Sequence, residues 1–76
     1  MITKAEILSL DWEQIESINA YILYGTSYPD VEDDFSTLVL ESDEKWLLIQ
    51  KGINTYFGEI KTIGDLQTIM TNFDIP

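Results

Sequence analysis

The chain contains no cysteine, no histidine and no arginine, and its four cations are all lysines. Without cysteine there is neither a disulfide framework nor a thiolate to act as nucleophile or metal ligand, and a reducing compartment such as the cytoplasm suits the chain. Without histidine there is no side chain that ordinarily titrates near neutral pH, and without arginine no planar fork to clamp an anion. No apolar run approaches the ~18 residues of a membrane span, and the N-terminus lacks the basic-then-apolar layout of a signal peptide. The expectation is a soluble, cytoplasmic protein with no cofactor or metal.

What is present is enough to fold. The 76 residues are 45% hydrophobic and include three Phe, two Trp and four Tyr, far more than a disordered acidic segment carries, even at a net charge of -10. That length makes one domain, spanning residues 1–76, close to the size at which a single core only just offsets chain entropy.

The pattern of apolar residues predicts an α+β fold. Phe35 to Leu40 and Trp46 to Ile49 are rich in β-formers and flank the polar hairpin loop Glu41 to Lys45, while Thr55 to Ile60 follows the tight link Gly52-Ile53-Asn54. Thr3 with Glu6 forms a capping box for a turn or so of helix over Lys4 to Leu8. Asp11, with Gln14 three residues on and Gly25 as a stop, reads as the N-cap of the main helix, whose stripe is Trp12, Ile15, Ile18 and Ile22. Thr62 with Asp65 opens a second helix with the stripe Leu66, Ile69, Met70 and Phe73. The predicted order is α-β-β-β-α, a three-stranded antiparallel sheet with both helices on one face. Its strands carry apolar residues of both parities, Leu38 and Leu40 against Phe35 and Val39, so the second face is a candidate surface for a homodimer or a partner.

Charge is distributed unevenly. Residues 1–44 hold eleven acids against Lys4, giving 1 - 11 = -10, while residues 45–76 hold three acids against three lysines, giving 3 - 3 = 0. If the acids of the first part share one side, the domain presents a negative field that attracts cationic proteins and repels nucleic acid and anionic membranes. Direct nucleic-acid binding is not expected on the same ground, because neutralising phosphates requires a basic surface.

The run Asp30, Glu32, Asp33 and Asp34, extended by Glu41, Asp43 and Glu44, is the candidate contact set, with Tyr24, Tyr28 and Trp46 as aromatic anchors. An extended chain advances ~3.3 Å per residue, and one strand of a duplex carries a phosphate per ~3.4 Å. The run in extended form therefore approaches the charge density of nucleic acid. The implied function is an inhibitor that blocks a basic, nucleic-acid-handling surface of a protein partner. The alternatives are a solubilising charge on a structural, regulatory or immunity-type subunit that associates through its sheet face.

Other chemistry fits less well. Asp30, Glu32, Asp34 and Glu41 fall at positions 1, 3, 5 and 12 of an EF-hand spacing, but Phe35 stands where that loop needs glycine. A carboxylate pair such as Asp33 and Glu41 would need a substrate cleft for glycosidase chemistry. Neither Lys51 nor Lys61 lies in the apolar surroundings that activate a lysine nucleophile, and no enzyme is predicted. Trp12, Tyr56, Phe57 and Phe73 are assigned to the core or its rim. Small, acidic, cysteine-free domains are common among phage inhibitors of host nucleic-acid machinery, anti-CRISPR proteins included, and among immunity proteins that plug nucleases. That likeness is one of composition and transfers no residue roles.

Overall fold

The computed structural model describes residues 2–15, 19–41 and 46–76. In chain order they form α1 (Lys4–Ser9), β1 (Glu13–Ile15), β2 (Ala20–Tyr24), β3 (Phe35–Leu40), β4 (Trp46–Lys51), β5 (Asn54–Glu59) and α2 (Ile63–Asn72). The strands make one antiparallel sheet in the order β1-β2-β3-β4-β5. The fold is therefore α+β, but with five strands rather than three.

The two extra strands replace the helix expected between Asp11 and Gly25. The Trp12, Ile15 and Ile22 spacing suits a helix, but the segment is crowded with β-branched and aromatic residues, which lose side-chain freedom against a helical turn and pack well on a pleated surface. In β2, Tyr21 and Leu23 are buried while Ala20, Ile22 and Tyr24 take the other face. Ile18 and Glu16 lie outside the described residues. Asp11 is not an N-cap: its φ is 72°, and its N–H bonds to the carbonyl of Leu8 at 3.2 Å, so it is the left-handed residue that ends α1.

Both helices begin and end alike. Thr3 and Glu6 exchange side-chain and backbone bonds at the start of α1, at 3.0 and 3.2 Å, and Thr62 and Asp65 do the same for α2 at 3.2 Å. At the end of α2, Asp74 takes φ 54°; its N–H reaches Thr71 O at 3.2 Å, and that of Ile75 reaches Met70 O at 2.8 Å, a Schellman ending. The β4–β5 hairpin turns on Gly52 and Ile53 alone, with Lys51 opposite Asn54 and Gly52 at φ 58°. A positive φ at the first of two turn residues matches the twist of the flanking strands and favours glycine.

Register divides the sheet into two unlike faces. On one, Tyr21, Leu38, Ile49 and Tyr56 lie side by side across four strands, next to the row Leu40, Leu47 and Gly58. Ile7 of α1, Leu66 and Met70 of α2, Trp12 and Ile75 join the buried residues of this face in one cluster. Ile69 and Phe73 pack against it. Both helices thus cover the same face. On the other, Ile15, Ala20, Val39, Leu48 and Phe57 form a single apolar row crossing all five strands. Phe57, expected in the core or its rim, is 57% exposed there and stacks on Trp46 at 5.6 Å between ring centroids. No helix among the described residues is long and apolar enough to cross a membrane.

Candidate functional site

The acidic run is carried on turns, not on an extended segment. Leaving β2, the chain folds back on itself: Val31 N–H donates to Ser27 O at 2.8 Å and Asp34 N–H to Val31 O at 3.0 Å. The spacing match to a line of phosphates needed extended backbone and does not hold here. The carboxylates form a cluster at a loop tip instead. Tyr28 is exposed in this loop and its ring packs on that of Tyr24 at 4.3 Å, so these two aromatics come together as one patch.

Asp34 has a different role from its neighbours. Its Oδ2 accepts the Ser27 N–H at 2.8 Å, and its backbone carbonyl accepts the Gly25 N–H at 2.8 Å. The carboxylate lies over Gly25, where a Cβ would collide with Asp34 Oδ1. Glycine at 25 is what lets the carboxylate fold in and close the loop. Asp30, Glu32 and Asp33 are left exposed on its outside.

Two segments distant in sequence meet this loop. A shallow groove is lined by Val31 and Asp33 from the loop, Lys51 and Ile53 from the β4–β5 turn, and Phe73 and Asp74 from the end of α2. Ile53 is 100% exposed and Val31 also stands out from the surface. Lys51, the one cation there among the described residues, donates from Nζ to the carbonyl of Asp74 at 2.5 Å, which ties the end of α2 to the hairpin. Val31, Ile53 and Asp74 were not singled out in the sequence. The available signal was an isoleucine at the tip of a two-residue turn, a position that buries nothing.

Glu41 does not join the cluster. It follows β3, whereas Asp34 precedes it, and six residues of strand separate the two by about 20 Å. Its N–H donates to Trp46 O at 2.9 Å, so Glu41 and Trp46 sit beside each other at the opposite end of the sheet, with Glu59 next across from Trp46. Asp43 and Glu44 lie outside the described residues. The acids of the first part of the chain therefore occupy at least two sites, one at each end of the strands.

That separation also bears on catalysis and metal binding. Carboxylates that share a glycosidic bond stand roughly 5–9.5 Å apart, well short of the Asp33 to Glu41 span. Among the described residues no group of three acids is arranged to hold a metal ion. Comparison of the chain with protein-family models, with curated proteins and with solved structures finds no match.

Proposed function

We propose that the protein is a non-catalytic binding protein whose loop end, bearing Asp30, Glu32, Asp33 and Asp74, docks on a basic surface of a protein partner of the kind that handles nucleic acid. The observation that carries this reading is the meeting of Asp33 and Asp74 around the exposed apolar knobs Val31 and Ile53, with Asp30 and Glu32 exposed on either side of Val31 in the same loop. Charge at an exposed rim speeds encounter and selects a cationic partner, but it contributes little holding energy. Apolar groups within the same patch supply that part, and the same loop carries Tyr28, paired with Tyr24 at the end of β2. Blocking such a surface would inhibit the partner without any chemistry by this chain.

The apolar row Ile15 to Phe57 favours a second reading, a subunit that associates through its uncovered sheet face. From strand spacing and length that face measures roughly 400 Å², about half of the ~800 Å² each partner contributes to a standard interface. On area alone it would hold a partner weakly.

Capture from lysate on the immobilised protein separates the two. At about 50 mM salt it should retain a basic protein that elutes near 200 mM and itself binds nucleic acid. Asp30→Asn, Glu32→Gln and Asp33→Asn together should reduce capture at least tenfold, whereas Glu41→Gln and Val39→Glu should leave it unchanged. Capture that ignores salt and the triple substitution but disappears with Val39→Glu would assign function to the sheet face instead.

A further inference from the structure

The two edges of the sheet are protected to different degrees. β1 is three residues long, too short to template much pairing. β5 is six residues long, keeps continuous register with β4, and contains no lysine, proline or bulge, the usual devices that stop an edge from pairing with another chain. With Lys51 and Asn54 closing a two-residue turn, the bonded pairs facing β4 fall at Asn54, Tyr56 and Gly58. The backbone groups of Thr55, Phe57 and Glu59 therefore point outward along the edge.

We infer that β5 pairs antiparallel with β5 of a second copy about a two-fold axis at Phe57, making one ten-stranded sheet. In this register Thr55 lies opposite the partner's Glu59, Phe57 opposite the partner's Phe57, and Tyr56 opposite the partner's Gly58. Each of the three outward-facing positions finds a bonded pair, so the backbone of both edges is satisfied at once. No like charges are opposed. Thr55 offers a hydroxyl to a carboxylate, and cross-strand pairs of this kind and of aromatic with aromatic stabilise a sheet.

The side chains favour this alignment on both faces. Outside, Phe57 already stacks on Trp46, so the dyad would place Trp46, Phe57 and their two symmetry mates in one aromatic line. The apolar row Ile15 to Phe57 would run unbroken across ten strands. Inside, the Tyr56 hydroxyl reaches the carbonyl of Glu59 at 3.5 Å with the ring over Gly58, and the facing glycine leaves room for it. A groove between β5 and α2, lined by Tyr56, Thr68 and Ile69, keeps the inner side of the edge open. Shifting the register by one residue would carry Phe57 and Trp46 out of line and place Tyr56 against the partner's side chains.

Self-association and partner binding respond to salt in opposite ways. Each copy carries a net charge of -10, so pairing two copies is opposed by repulsion that salt screens. Sedimentation velocity over a concentration series, at about 50 and about 300 mM salt, should show a monomer–dimer equilibrium that tightens with salt. Phe57→Lys places two lysines face to face at the axis and should weaken the dimer at least tenfold; the residue is exposed, so the fold should persist in circular dichroism. Thr55→Lys sets a lysine opposite the partner's Glu59 and should strengthen the dimer severalfold. Val39→Lys, on the outer face but away from the edge, should have no effect. A monomer at every concentration, a dimer indifferent to Phe57→Lys, or a dimer abolished by Val39→Lys would each overturn the inference. None of these outcomes bears on whether acidic substitutions at the loop end abolish partner capture.

Discussion

Leu38→Ala is expected to cost about 2–5 kcal/mol, the largest stability effect of any single substitution considered. Leu38 is fully enclosed at the middle of β3, between Tyr21 of β2 and Ile49 of β4 on the helix-covered face. A 76-residue domain is held by about 4–11 kcal/mol in all, so the variant should lose a large share of its stability and unfold at a clearly lower urea concentration. Leu48→Ala is the control, because Leu48 is in the adjacent strand but on the uncovered face and only half buried. It should lose under about 1.5 kcal/mol, since less surface leaves water on folding. Urea unfolding of both variants checks the pair. Equal losses would mean that the outer face is covered as thoroughly as the inner one.

The second large effect is expected at Gly25 and Asp34. Gly25→Ala drives a methyl group into the space of the Asp34 carboxylate, displacing it from the Ser27 N–H, and should cost about 1–3 kcal/mol, the usual loss for a charge-assisted bond left unmade. Asp34→Ala removes the same bond and should cost a similar amount. The double variant should cost no more than either alone, because Asp34→Ala also vacates the space that the new methyl needs. Such non-additivity marks two residues acting on one contact. Additive losses in urea unfolding would separate Gly25 from Asp34. Asp33→Asn, on the outside of the loop, should leave stability within about 0.5 kcal/mol of the parent.

The sequence was most legible where local chemistry had a single outcome. Thr-x-x-Glu and Thr-x-x-Asp each placed a helix start at Thr3 and Thr62, because the reciprocal bonds of a capping box form within four residues. Strands β3 to β5 were marked by β-formers separated by polar links, with ends that moved by one or two residues. Residues 11–25 read as a helix although they hold strands β1 and β2, because isoleucine spacing fits a helix and a strand alike and the deciding force is packing against β3, which is remote in sequence. Asp11 and Asp74 compounded this. Each takes the left-handed conformation that usually signals glycine, so neither helix end carried the common stop.

The candidate site was legible in kind but not in extent. Asp30, Glu32 and Asp33 stand exposed together, as a charged run on a loop should. Asp34 was invisible as a structural residue, since its bond to Ser27 depends on a loop closure seven residues long. Glu41 was grouped with the others by sequence proximity, yet a strand between them carries it to the far end of the sheet. Asp74 was counted with the neutral part of the chain, and only the packing of α2 brings it to the groove.

The most direct measurement is the amide spectrum of isotope-labelled protein recorded while the captured basic partner is added. Signals of residues 30–33, 53 and 74 should move or broaden, while those of Ile15, Val39, Leu48 and Glu41 stay where they are. Changes confined to Ile15, Val39 and Leu48, with the loop end unmoved, would contradict docking at the loop end.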